Sequence, residues 1–176
     1  MVVPSPRKPY ARPVRSAVRG HREYVKLVNV TSIQVADETF VAAAPSLAAE
    51  AVGDQGNWRR WWPDLRLGVI EDRGAQGVRW TVDGPLVGSM EVWCEPVLDG
   101  FTLHYFLHAE PVDTGAGAWD ADGLAEANRR RRAAGRAMSF EVKARLESGR
   151  VVGGPATRDP DADTTSANAT ATKVVR

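Results

Sequence analysis

The longest periodic stretch of this chain is residues 120–149, DADGLAEANRRRRAAGRAMSFEVKARLESG. Positions at alternating steps of four and three fall on one face of an α-helix. Asp120 or Asp122 can cap its start, and Gly149 can end it. A helix of this length spans about 40 Å, enough to cross a small sheet. The predicted stripe consists of Leu124, Asn128, Arg131, Gly135, Met138, Val142 and Leu146.

Four strand candidates precede this helix. They are residues 65–72, 77–83, 87–97 and 101–110, which are rich in β-branched and aromatic side chains. The connections between them contain the sequences RGAQ, GP and DG. These residues favour tight turns, and the connections are as short as hairpin loops. The pattern predicts an antiparallel meander.

Further upstream, the chain is predicted to hold one extended segment and two short helices. Residues 24–43 are rich in β-branched side chains and run as an extended segment. Pro45 then opens an alanine- and leucine-rich helix. Asn57 is placed to cap a second helix over residues 58–62, which Pro63 ends.

This order of elements resembles the START-like helix-grip family (SRPBCC), often labelled polyketide cyclase/dehydrase and lipid-transport proteins. Two stretches carry the resemblance, VADETFVAAAP at residues 35–45 and WRRWWP at residues 58–63. It covers roughly residues 31–148. The resemblance implies an α+β fold, in which a curved antiparallel sheet wraps the C-terminal helix around an apolar cavity.

The strand count departs from that family. Its members usually have six strands after the two short helices, whereas four are predicted here. Either the meander is shortened and the cavity is shallower, or one of the long strands is really two. Residues 24–30 are a further candidate strand.

Length and charge predict one folded domain with a solvated segment at each end. The chain has 176 residues, close to the roughly 150 of a typical single domain. We expect residues 24–149 to form the domain, with a disordered basic arm at 1–23 and a disordered tail at 150–176. Residues 1–29 carry seven Lys/Arg against one acid, while residues 30–118 carry five against thirteen. The arm is either merely solvated, or meets an anionic partner, or is a targeting segment.

Several classes of protein lack support in this sequence. A single cysteine excludes an intramolecular disulfide. No metal site is expected, because the three histidines are scattered. No cofactor is expected either, because no glycine-rich phosphate loop or HExxH motif is present. No apolar run reaches the roughly 18 residues of a membrane span, and the N-terminus lacks a signal-peptide core, so we expect a cytoplasmic protein.

Alternation along the strands directs one set of side chains toward the helix. Tyr105 lies among apolar neighbours, and its hydroxyl needs a partner if it is buried. Asn128 and Arg131 interrupt the helical stripe, either to orient a ligand or because that end of the helix meets water. Gly135 either allows a close approach or leaves room for a ligand. The predicted ligand-binding residues are Trp62, Trp80, Met90, Val92, Leu103, Tyr105, Asn128, Arg131, Gly135 and Met138.

The opposite strand face is expected to meet solvent. His104, His108 and Glu110 share it, but strand positions i and i+4 lie about 13 Å apart, too far to hold one metal ion. Trp93 and Phe106 on this face indicate a contact patch that would suit a homodimer.

Two further features are a run of arginines and the single cysteine. The run of four arginines at 129–132 is either a solvated basic turn or an anion site at the cavity mouth. Cys94 is predicted to be a small buried core residue.

The favoured function is binding of a small hydrophobic molecule, lipid or polyketide-like, in a cavity between the sheet and the C-terminal helix. One alternative is a cyclase or dehydratase in which Tyr105 and Arg131 polarise a carbonyl; they are the weak catalytic candidates. Another is an interaction module whose basic arm contacts an anionic partner. Nucleic acid is not expected to bind at physiological salt.

Overall fold

The computed structural model describes residues 31–112 and 119–160. The predicted arm, the candidate strand at 24–30 and the chain beyond residue 160 lie outside this part. The elements in chain order are β1 Ile33–Val41, α1 Ser46–Gly53, α2 Gln55–Trp61, β2 Arg66–Asp72, β3 Gly77–Asp83, β4 Leu86–Val97, β5 Gly100–Pro111 and α3 Ala121–Leu146, with a short 3-10 turn at Gly74–Gln76.

The strands form one open antiparallel sheet in the order β1-β5-β4-β3-β2. The first strand therefore pairs with the last, from Ile33↔Ala109 to Val41↔Phe101. β4 and β5 are each a single long strand, paired from Leu86↔Pro111 to Val97↔Gly100. Within the described residues, four strands follow the two short helices. The protein has the α+β helix-grip fold, with a short meander.

The strand faces alternate as predicted. In β3, Val78, Trp80 and Val82 are buried, whereas Arg79 and Thr81 are exposed. The inward residues of β4 and β5 are also buried, because one face of the sheet packs against the helices. These residues are Met90, Val92, Cys94, Leu103, Tyr105 and Leu107.

Two helix starts refine the sequence predictions. The cap of α2 is Asp54, whose carboxylate accepts from Gly56 N at 2.8 Å. Asn57, predicted as this cap, lies inside the helix and donates to Ala51 O at 2.9 Å. Asp54 is the cap because its extended backbone directs its carboxylate toward the free amides of the first helical turn. For α3 the cap is Asp120, which accepts from Gly123 N at 2.8 Å.

The long helix α3 lies on the buried face of the sheet and is held along β1. Its inward stripe includes Arg131, Gly135, Met138 and Val142, as predicted. Polar side chains of α3 and of Glu147, the residue that caps its C-terminal end, also contact β1 and the residue after it. These contacts are Asn128 Oδ1 with Gln34 N at 3.0 Å, Arg136 Nη2 with Asp37 Oδ1 at 3.0 Å, and Glu147 Oε1 with Ala42 N at 2.7 Å.

Thr157 pairs with the segment that follows β1, although composition assigns residues 150–160 to the tail. Thr157 N donates to Ala42 O at 2.9 Å, and Ala44 N donates to Thr157 O at 2.8 Å. Ala156 N donates to Asp99 Oδ2 at 3.2 Å. Composition could not show this pairing, because backbone groups form it without large apolar side chains.

We expect a chain ending at residue 149 to be less stable than one ending at residue 160, by about 1–2 kcal/mol. Two backbone hydrogen bonds to Thr157 would be lost, each with a net contribution of about 1 kcal/mol. Urea denaturation of the two shortened chains measures the difference. Equal midpoints would show that this pairing adds nothing to stability.

Candidate ligand-binding site

Three aromatic residues from separate elements meet under α3. Trp62 directly follows α2, and its backbone N–H donates to Trp58 O at 2.9 Å in the last turn of the helix. Pro63 then ends the helix. Trp80 lies in the middle of β3, and Tyr105 in the middle of β5. All three are fully buried. Their positions follow from the helix stop and from the alternation of the strands.

The rings pack against one another. Trp62 stacks on Tyr105, with centroids 5.9 Å apart and planes 9° apart. It also lies 6.2 Å from Trp80, which in turn meets Trp58 edge-on at 5.3 Å. The indole of Trp62 therefore neighbours both the Tyr105 ring and the Trp80 ring.

Arg131 reaches into this region from α3 and is only 3% exposed. Its Nη1 and Nη2 atoms donate to Asp64 Oδ1 and Oδ2 at 2.8 and 2.6 Å. The Asp64 side chain is 44% exposed, so the ion pair runs from the interior to the surface. The Arg131 bond holds the pKa of Asp64 below its ordinary value. Sequence reasoning missed Asp64, because no spacing pattern links it to a helix 67 residues away.

Four buried polar atoms in this region form no well-aligned hydrogen bond with the described residues, although the Trp62 indole lies near enough to the Tyr105 hydroxyl to act on its pKa. They are Trp62 Nε1, Trp80 Nε1, Tyr105 OH and Arg131 Nε, which we call the interior donor cluster. Three other indoles contrast with them. Trp58, Trp61 and Trp119 donate to Val52 O, Glu141 Oε2 and Val112 O at 2.5, 3.0 and 3.0 Å.

Tyr105 acts in this site as a hydroxyl and not as a phenolate. Burial raises the pKa of its hydroxyl, and the charge of Arg131 and the indole of Trp62 oppose that rise only in part. The Trp62 indole is stacked on the Tyr105 ring. At neutral pH the Tyr105 oxygen carries its proton and can donate a hydrogen bond.

The structure brings together most of the predicted ligand-binding residues. Met90, Val92, Leu103 and Met138 are buried in the same core as the aromatic rings. Gly135 lies directly against the Tyr105 ring: a Cβ built there would overlap ring atoms Cδ1 and Cε1. Of the two interpretations of Gly135, the close approach is therefore the one observed.

Asn128 does not join the cluster. Its side chain accepts from Gln34 N and donates to Ser32 O and Leu124 O at 3.1 Å, so its polar atoms are occupied by backbone groups. It connects the start of β1 to α3.

On the outer face of the sheet, the His104 ring lies between Trp93 and Phe106, with centroids 4.8 and 5.9 Å away. His104 also contacts Glu95 Oε2 at 3.1 Å. Among the described residues, no group of His, Cys, Asp or Glu side chains could hold a metal ion.

Two other features of the sequence have the following surroundings in the structure. In the arginine run, Arg129 pairs with Glu126 at 2.8 Å on the helix surface. Cys94 is fully buried, and burial raises the pKa of its thiol to about 12, so the thiol stays protonated near neutral pH. In the part of the chain that the structure describes, no helix is long and apolar enough to cross a membrane.

No protein-family model and no curated protein matches this chain. Among solved structures, the Aha1 dimer of Colwellia psychrerythraea is 14% identical with a TM-score of 0.47, covering 68% of this chain and 99% of that one. A Polyketide_cyc-like protein of Corynebacterium glutamicum is 18% identical with a TM-score of 0.41, covering 66% and 95%. An aromatase/cyclase of Streptomyces sp. R1128 is 18% identical with a TM-score of 0.42, covering 69% and 98%.

With identities below 20% and TM-scores below 0.5, these similarities establish neither a family nor a function for this chain. The helix-grip assignment rests on the strand order and on the position of α3. The chain is thus a helix-grip protein, as its resemblance to the START-like family predicts.

Proposed function

We propose that this protein binds a small, largely apolar molecule between its sheet and α3. The observation that carries the proposal is the interior donor cluster. A buried donor without an acceptor costs about 1–3 kcal/mol, so the donors of this cluster that stay unpaired favour a bound molecule that accepts from them.

The surroundings of the cluster support an apolar ligand. Met90, Val92, Leu103 and Met138 are buried in the same core. An apolar lining with a few convergent polar groups is the usual composition of a small-molecule site. A lipid or a polyketide-like molecule has this character.

The same groups support binding more directly than catalysis. Among the described residues, Arg131 and Ser139 are the buried polar or charged side chains apart from the aromatic and cysteine residues. Ser139 is occupied, since its hydroxyl donates to Gly135 O at 3.1 Å. Tyr105 cannot serve as a general base near neutral pH, because burial raises its pKa. A cyclase or dehydratase would have to work with Tyr105 as a proton donor and Arg131 as a fixed charge.

Native mass spectrometry and titration with an apolar fluorescent dye test this proposal. We expect a co-purified small molecule or saturable dye binding in the wild type. Trp80→Phe should weaken dye binding by about fivefold, since it removes part of the buried ring that an apolar dye would contact. Trp93→Phe on the outer face is the matched control and should bind the dye as the wild type does.

Two results would contradict the proposal. A wild-type chain with neither a bound molecule nor saturable dye binding would rule out an interior site. Dye binding that is lost in Trp93→Phe and retained in Trp80→Phe would place the site on the outer face.

A further inference from the structure

The interior donor cluster contains more hydrogen-bond donors than acceptors. An indole N–H and the Nε–H of an arginine can only donate, so Trp62, Trp80 and Arg131 contribute three donors. The Tyr105 oxygen is the one atom of the cluster that can also accept. Even if that oxygen accepted from one neighbour, its own proton and the remaining donors would still need acceptors. A ligand for this site must therefore present an acceptor oxygen or nitrogen.

The charge of the site is already balanced. Arg131 is always protonated, and Asp64 neutralises it through two hydrogen bonds. A carboxylate or phosphate bound at the cluster would add a negative charge that nothing else compensates, and burial of such a charge is costly. The raised pKa of Tyr105 also argues against a bound anion, because burial at this position disfavours a negatively charged oxygen despite the positive charge of Arg131.

Resting on the proposed function, we infer that the ligand's polar end is an uncharged carbonyl oxygen, as in a ketone, aldehyde, ester or amide. The oxygen accepts from the interior donor cluster, and the rest of the molecule contacts the apolar side chains around it. One carbonyl oxygen has two lone pairs and accepts from two donors without adding charge. The Asp64–Arg131 pair keeps the site selective for this uncharged group.

Three probes of nearly the same shape test the inference by calorimetric titration of the full chain. Acetylnaphthalene carries the carbonyl, isopropenylnaphthalene replaces its oxygen by a methylene, and naphthoate carries a negative charge. We expect acetylnaphthalene to bind about tenfold or more tightly than either analogue, because a site built from donors rejects a molecule that leaves them unpaired. Tyr105→Phe should reduce this preference severalfold, and Trp93→Phe should leave it unchanged.

A charge variant adds a second readout. In Asp64→Asn the charge of Arg131 is no longer neutralised, so naphthoate should gain affinity relative to acetylnaphthalene. A merely structural role for Asp64 would weaken all three probes equally.

The outcomes separate the inference from the proposed function. If the methylene analogue or naphthoate binds as tightly as acetylnaphthalene, the site binds ligands but the carbonyl assignment is wrong. If none of the three probes binds and the apolar dye does not bind either, the proposed function fails and the inference fails with it. Binding of the dye without any preference among the probes would show that the cluster holds water only, which also overturns the inference.

Discussion

Replacement of Asp64 by Asn should lower the free energy of unfolding by about 2 kcal/mol at neutral pH. Arg131 would remain buried with its charge uncompensated. Removing one partner of a fully buried pair costs about 3–5 kcal/mol, and the half-exposed carboxylate of Asp64 reduces that figure. Urea denaturation measures the change. Glu126→Gln, which breaks the exposed pair with Arg129, is the matched control and should cost at most about 0.5 kcal/mol.

The stabilisation by Asp64 should depend on pH in one direction. Its pKa in the folded protein lies below the ordinary value of 3.8, mainly because Arg131 hydrogen-bonds to the charged form. A carboxyl with a lowered pKa stabilises the folded state above the unfolded pKa, and this contribution is lost as the pH falls through the folded pKa. The difference between wild type and Asp64→Asn should be constant near neutrality and shrink below about pH 4. A difference that stays constant into that acidic range would contradict the pair as its source.

The sequence predicted the architecture well because local signals act at short range. Glycine and proline turns separate the strands, and alternation sets which face of β3 is buried. Arg131 belongs to a run of four arginines, but only one of four consecutive helical positions lies on the inward face of the helix. The spacing of the inward positions of α3 selects Arg131. Arg131 was therefore recognised as a site candidate from spacing alone.

The partners of these residues could not be predicted in the same way. Asp64 lies in a connection, where no period fixes the direction of a side chain, and its contact with Arg131 exists only once α3 has packed on the sheet. The occupied amide of Asn128 depends on the backbone of β1, so its place on the stripe alone could not separate it from a ligand-binding group. The unpaired state of Trp62 and Trp80 likewise depends on the complete packing of the interior.

Gly135→Ala should destabilise the protein by about 1–3 kcal/mol, the usual cost of overpacking a core. Helix propensity alone predicts the opposite sign, because alanine is favoured over glycine in a helix interior by about 1 kcal/mol. Here the new methyl group would overlap two atoms of the Tyr105 ring and lie 3.1 Å from Cζ. That ring is fully buried and stacked on Trp62, so it cannot move aside without disturbing the interior donor cluster. Urea denaturation gives the stability, and the acetylnaphthalene titration gives the effect on the site.

The same substitution in a Tyr105→Leu background shows whether the ring is the cause. Without the ring atoms that overlap the new methyl group, alanine at position 135 should be neutral or should stabilise by up to about 1 kcal/mol, as helix propensity predicts. The two substitutions would then be strongly coupled, as expected for residues in direct contact. If Gly135→Ala is as harmful in Tyr105→Leu as in the wild type, the strain lies elsewhere on α3. If it stabilises both proteins, the ring has room to move, and Gly135 does not set the position of the Tyr105 hydroxyl.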